Sequence, residues 1–198
     1  MAWDTEGTKR RLLDAATVEF AQHGFAGGRV DRIAAAAGVN KERIYQYFGK
    51  KGELFDAVLV SELRRVMDEV PLRGEGPQAV ADYAGRLFDH HVDDPTVPRL
   101  VTWEGLERGR DTVARAERLE HHTSKVAALM RMLPGVDSAG AAELLLTIVT
   151  LCDSWPVLPQ VDEFLSGRVE GRRAERRASI VGTVELLARE LSAESARR

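Results

Sequence analysis

Between Val30 and Phe48 the chain places two short amphipathic segments either side of a four-residue turn, Ala37-Gly38-Val39-Asn40. Few local arrangements leave a chain so little choice of fold. Val30, Ile33, Ala34 and Ala37 mark one face of a first helix that ends at Gly38, whose lack of a side chain permits the tight turn. Val39 plugs the core, and Asn40 is predicted to cap the next helix, Lys41 to Phe48. On that helix Ile44 and Phe48 face inward, while Lys41, Arg43, Tyr45, Gln46 and Tyr47 are left largely outside. A short helix, a glycine-containing turn and a second helix with outward polar and aromatic side chains is the pattern of a helix-turn-helix. Its second helix fits the major groove of DNA, where side chains reach base edges and flanking Lys, Arg and Tyr hold phosphates.

The remaining sequence is helical too. Leu12, Leu13, Ala16 and Phe20 predict a first helix ending near Gly24. A fourth runs from about Gly52 to Pro71 with a long apolar stripe, Leu54 to Val70. Prolines and glycines then punctuate amphipathic segments at roughly 78–92, 98–108, 112–133, 138–155 and 173–195, whereas no period-2 strand pattern of useful length occurs. The expected fold is all-α: an N-terminal three-helix DNA-binding domain, residues 1–51, followed by a helical ligand-binding and dimerisation domain, 52–198. The Arg- and Glu-rich C-terminal stretches read as solvated helix faces.

Charge divides along the same line. The whole chain of 198 residues carries a net −3, yet residues 1–51 hold nine Lys or Arg against six Asp or Glu, and the rest hold 19 against 25. A basic head on an acidic body predicts a polyanion partner for the head alone. The longest near-continuous apolar run, Leu144 to Cys152, is too short to cross a bilayer, and the N-terminus lacks a secretory h-region. With Cys152 as the single cysteine no intrachain disulfide forms, so a cytoplasmic setting without membrane partners is expected.

The string AAGVNKERIYQYFGKKGELFDAV resembles the signature of the TetR family of bacterial transcriptional regulators, over about residues 8–60. The resemblance implies base-edge or nearby backbone contacts from Lys41, Glu42 and Gln46, and phosphate contacts from Arg43, Tyr45, Tyr47 and Lys51. Gln46 is the leading base reader, since a glutamine can bond an adenine edge bidentately. Tyr45 has an alternative reading as a mostly buried ring with an outward hydroxyl. Where the family usually has a threonine at the start of the second helix, this chain has Gly28, and Arg29 is the expected substitute phosphate clamp.

Other features point to chemistry less strongly. The doublets His90-His91 and His121-His122 do not chelate, because adjacent helical residues diverge by about 100°; no metal and no cofactor is expected. Cys152 beside Asp153 in an apolar run suits packing rather than nucleophilic catalysis, and no P-loop, GxSxG, HExxH or dinucleotide motif is present, so an enzyme is not expected. Tyr83, Phe88, His91, Trp103, Met130 and Trp155 are candidates to line a small-molecule pocket, with ordinary core packing as the alternative. Ala141, Leu145 and Ile148, then Ile180, Val184, Leu187 and Leu191, repeat at spacings of three and four and are expected at a four-helix homodimer interface, the family's mode of dimerisation. The predicted activity is a dimeric repressor on a pseudo-palindromic double-stranded operator, released by a small-molecule effector, with the fourth helix carrying the signal. A ligand-independent DNA-binding architectural or co-regulatory protein is the competing class, and the sequence names neither effector nor operator.

Overall fold

The helical spacings resolve into ten α-helices among residues 5–109, 115–167 and 170–197, which the computed structural model describes; no strand occurs among them. They are α1 (Thr5–Gly27), α2 (Val30–Ala37), α3 (Lys41–Phe48), α4 (Lys51–Glu69), α5 (Gly76–Asp93), α6 (Thr96–Arg108), α7 (Arg115–Met132), α8 (Ser138–Val157), α9 (Pro159–Ser166) and α10 (Arg172–Arg197). Residues 112–114, expected to begin the seventh helix, lie outside the described residues. The described chain forms two compact units, one of residues 5–66, 96–109 and 115, the other of 67–95, 116–167 and 170–197.

The first unit is built on the apolar faces of its short helices. Leu12, Ala16 and Phe20 of α1, Ile33 of α2, Ile44 of α3, and Leu54, Phe55 and Val58 of α4 are fully buried around one centre. Phe20 and Phe25 both meet the Phe55 ring edge-on, with centroids 5.2 and 5.5 Å away, a favourable aromatic geometry. Helix α6 packs on α1 in this unit, and Leu100 joins the same core. Its Arg99 donates to the Ala21 carbonyl at 2.7 Å, Arg108 donates to Asp56 at 2.8 Å, and Glu107 accepts from the Ala26 N–H at 2.8 Å. The first helix breaks at Gly24 as expected, where φ 71° and ψ −178° are non-helical, and a short further helical stretch runs on to Gly27. A Cβ on Gly24 would sit 2.6 Å from Glu107 Oε1 and 2.8 Å from the Trp103 ring.

In the second unit α5 packs against α10 and α8. Tyr83, Leu87 and Phe88 of α5, Ile148 and Cys152 of α8, and Val184 of α10 are sealed inside it. Gly85 allows α5 and α10 to approach closely, since a Cβ there would meet Arg177 and Val181 at 2.7 and 3.0 Å. Two elements differ from the sequence reading. Helix α9 was not expected: Pro159 sits in its first turn, where a missing N–H costs nothing, and starts a helix in a stretch read as punctuation. Helix α8 spans 20 residues, beyond the nine-residue run on which the membrane exclusion rested, and by length and composition it could cross a bilayer. One face of it, with Ala141, Leu144, Leu145, Ile148 and Cys152, is buried where it packs with α5 and α10.

Candidate nucleic-acid interface and effector region

Helix α3 has eight residues and buries one of them completely, Ile44. Tyr47 and Phe48 are half-buried against the core of the first unit, and Val39 of the turn packs there as expected. The rest of the helix is surface: Glu42, Tyr45 and Gln46 are exposed, while Lys41 and Arg43 are half-exposed. Tyr45, at 49% exposure, is therefore an outward ring and not the mostly buried one of the alternative reading. Arg43 Nη1 donates to Gln46 Oε1 at 3.0 Å, which orients the glutamine amide while leaving its N–H donors outward. Lys41 pairs with Asp31 at 2.9 Å, and this hydrogen bond raises its pKa; solvent screens such a surface pair, so it holds the ammonium only loosely.

Gly38 adopts the left-handed conformation required of it, φ 67° and ψ 34°. Asn40 occupies the first cap position of α3, but its side chain accepts no backbone N–H, a departure from the expected cap. Lys51 also differs from expectation. Its ammonium turns inward, donating to the Ala26 carbonyl at 3.1 Å over the Phe25 ring, so it ties α4 to α1; its neighbour Lys50 is exposed.

Arg29 is exposed at the N-cap of α2, and its backbone N–H donates to buried Glu19 at 2.8 Å. The same carboxylate takes the Arg32 guanidinium through Nε at 2.8 Å and through Nη2. Burial works to raise the Glu19 pKa, but the bonds from Arg32 and Arg29 and the Arg32 charge outweigh it, and the net shift is downward. Gly28 is sterically fixed, because a Cβ would lie 2.6 Å from the Phe20 ring. The family's threonine has no room in this head.

In the second unit four of the six pocket candidates come together. Tyr83, Phe88 and His91 project from α5 and are buried; half-buried Trp155 of α8 lies with its ring 5.3 Å from that of Phe88. Several polar atoms here have no hydrogen-bond partner although shut off from solvent: Tyr83 Oη, both His91 ring nitrogens, Asp153 Oδ1 and Trp155 Nε1. His91 Nδ1 and Asp153 Oδ1 are 2.7 Å apart, yet their angles do not make a hydrogen bond. Burial also pushes up the Tyr83 phenol, so it remains a neutral donor. The other two candidates are corrections. Trp103 belongs to the first unit and packs on Gly24, and Met130 is at the surface. The missed members are Asp153 and Lys125, whose ammonium is lowered by burial and drawn back up by the Asp153 charge. Both were obscured by the apolar periodicity around them.

His90 Nε2 lies 2.7 Å from Glu69, so the His90-His91 doublet divides between two carboxylates. Among the described residues no three His, Cys, Asp or Glu side chains are grouped to hold a metal ion. Cys152 is buried, and burial together with Asp153 pushes its thiol up to about 12, which leaves it protonated and inert.

The expected dimer residues also need correcting. Ala141, Leu145 and Ile148 of α8 and Ile180 and Val184 of α10 are buried within their own chain, so they have no surface left for a partner. Leu191 is half-buried. Of the seven, Leu187 alone is exposed, and it shares the outer surface with Leu146 at 57% and Leu186 at 61%. Both helices are apolar on more than one side, and the repeats chosen from spacing were the inward ones.

Two family models cover most of the chain: the tetR family of bacterial regulatory proteins at residues 12–58, and the tetracyclin repressor-like C-terminal domain at 79–185. The chain belongs to the TetR family. It is 42% identical over 170 residues to the HTH-type transcriptional repressor SCO4008 of Streptomyces coelicolor, covering 84% of this chain and 87% of the relative. Among solved structures, the transcriptional regulator SCO4942 of the same organism superposes with a TM-score of 0.72 at 31% identity, covering 91% of this chain and 97% of that one. The Bacillus subtilis regulator FadR, solved with stearoyl-CoA, shares the fold at TM-score 0.65 and 18% identity, over 91% and 97% of the two chains. The helix-turn-helix of this TetR-family regulator is thus the DNA-binding element, and the C-terminal domain match takes in α6 of the first unit together with helices of the second.

Proposed function

We propose that the protein is a dimeric cytoplasmic repressor whose α3 helices read a pseudo-palindromic operator and whose helical body releases DNA when a small molecule binds. The observation that carries the DNA half is the open face of α3, with Glu42, Tyr45 and Gln46 exposed on a net-basic head. Lys41, Glu42 and Gln46 approach base edges; Arg29, Arg43, Tyr45, Tyr47 and Lys50, rather than inward-turned Lys51, approach phosphates. Function divides at about residue 51, with 1–51 reading DNA and 52–198 binding effector and partner. One head makes few base contacts, so a two-fold pair on half-sites a whole turn apart, about 34 Å, supplies the rest.

The effector half rests on Tyr83 Oη, His91 Nε2 and Trp155 Nε1, buried polar atoms with no hydrogen-bond partner, beside the Phe88 ring. An apolar pocket with a few placed polar groups is the usual form of a small-molecule site, and those groups favour it over the ligand-independent reading. Because α4 passes from the first unit into the second between Val66 and Met67, it is the element through which an effector's preference for one state alters head spacing. Selection of bound duplexes from a random pool, followed by a compound screen for release of the winning sequence, tests both halves. Recovery of no enriched palindrome refutes the operator reading, and operator binding that survives every compound bound by the body refutes release.

A further inference from the structure

A cleft of about 190 Å³ lies where the end of α8, α9 and the start of α10 meet, lined on its apolar side by Leu158, Val161 and Leu165. Its polar side holds Trp155, Arg172 and Arg176. Three atoms of these residues are closed off from solvent with no hydrogen-bond partner: Trp155 Nε1, Arg172 Nε and Arg176 Nε. All three are donors. Buried polar groups are nearly always paired in a folded protein, so a set of donors alone calls for an acceptor that the chain does not supply.

The charges specify that acceptor further. Arg172 is compensated by Asp162, which also lines the cleft, at 2.7 Å, and by Glu175 at 3.3 Å. Arg176 has no ion-pair or hydrogen-bond partner among the described residues. The cleft therefore carries one uncompensated positive charge beside an apolar wall. Its volume is below the roughly 300–1,000 Å³ of sites for drug-sized ligands, which limits the occupant to a small molecule.

We infer that this cleft binds a small aromatic or aliphatic monocarboxylate, its carboxylate on Arg176, Arg172 and the Trp155 N–H and its hydrocarbon part against α9. Trp155 also touches Phe88, so an occupied cleft adjoins the interior group of Tyr83, His91 and Asp153. The inference deepens the effector reading and rests on it for any consequence at DNA; binding itself is measured on the free protein.

Titrating the full chain with benzoate, phenylacetate and octanoate, beside benzyl alcohol and benzylamine, tests the inference by calorimetry. The carboxylates are expected to bind saturably, the alcohol about tenfold or more weakly, and the amine not at all. Arg176→Gln weakens benzoate by about tenfold or more, and Trp155→Phe weakens it several-fold by removing one donor. Benzylamine matching benzoate, Arg176→Gln leaving benzoate unaffected in a protein of unchanged helicity, or no carboxylate saturating overturns the site. If benzoate binds as expected but the operator complex persists, the site stands and its connection to DNA release fails. If another compound releases DNA from a protein that binds no carboxylate, the release reading stands and this site fails.

Discussion

Glu19 is one carboxylate doing the work of three bonds. It accepts from the Arg29 N–H at the start of α2 and from the Arg32 side chain, and so fixes α2 on α1. Its pKa is lowered in the folded state, so its contribution is complete above the ordinary value of 4.5 and fades as pH falls through the lower folded value. Thermal unfolding should show a midpoint falling below about pH 4.5 in the parent and a shallower fall in Glu19→Gln. At neutral pH that variant should be less stable by about 1 kcal/mol, a modest figure because Arg32 is well exposed. Gly28 makes the second residue-scale prediction. Restoring the threonine usual in the family, Gly28→Thr, drives a Cβ into the Phe20 ring and should cost about 1–3 kcal/mol in a denaturant titration rather than tighten DNA binding. The sequence marked Gly28 as a departure; what made it obligatory was the position of a ring eight residues earlier, which no local pattern specifies.

At the scale of the element, α3 separates positioning from reading. Gln46→Ala should cost about 1–3 kcal/mol of operator affinity and relax preference at one base pair, measured by competition between singly substituted operators. Arg29→Ala, on the neighbouring helix, should weaken all sequences alike and make binding less steep in salt, because a phosphate contact carries no base information. Equal losses on every operator for both variants would remove Gln46 from base reading. Helices α2, α3 and α4 were legible because each has one apolar face and clear ends at Gly38, Gly49 and Glu69. Helix α9 was not legible. Its Val161, Phe164 and Leu165 have helical spacing, but the run is eight residues long with none fully buried, too short a stretch after Pro156 and Pro159 for periodicity to stand out.

For the whole molecule, the proposed dimer is tested at the exposed apolar residues of α8 and α10. Leu146, Leu186 and Leu187 are large, apolar and exposed, as the proposed pairing of two chains requires of its contact residues. Leu186→Glu should convert the protein to monomers in sedimentation analysis and reduce operator affinity by about a hundredfold or more through loss of the paired head. A monomeric parent, or a variant that sediments as the parent does, refutes that surface. The helix-turn-helix, the all-helical class and the basic head followed from sequence, since apolar period, glycine position and charge are local quantities that survive without knowledge of the partners. Tertiary structure alone decided that α6 docks on α1, that Trp103 leaves the pocket group, that Ile148 and Val184 face inward while Leu146 and Leu186 face out, and that Arg172, Arg176 and Trp155 line one cleft. A helix that is apolar on two sides specifies two burials without saying which neighbour fills each, and only packing resolves that degeneracy.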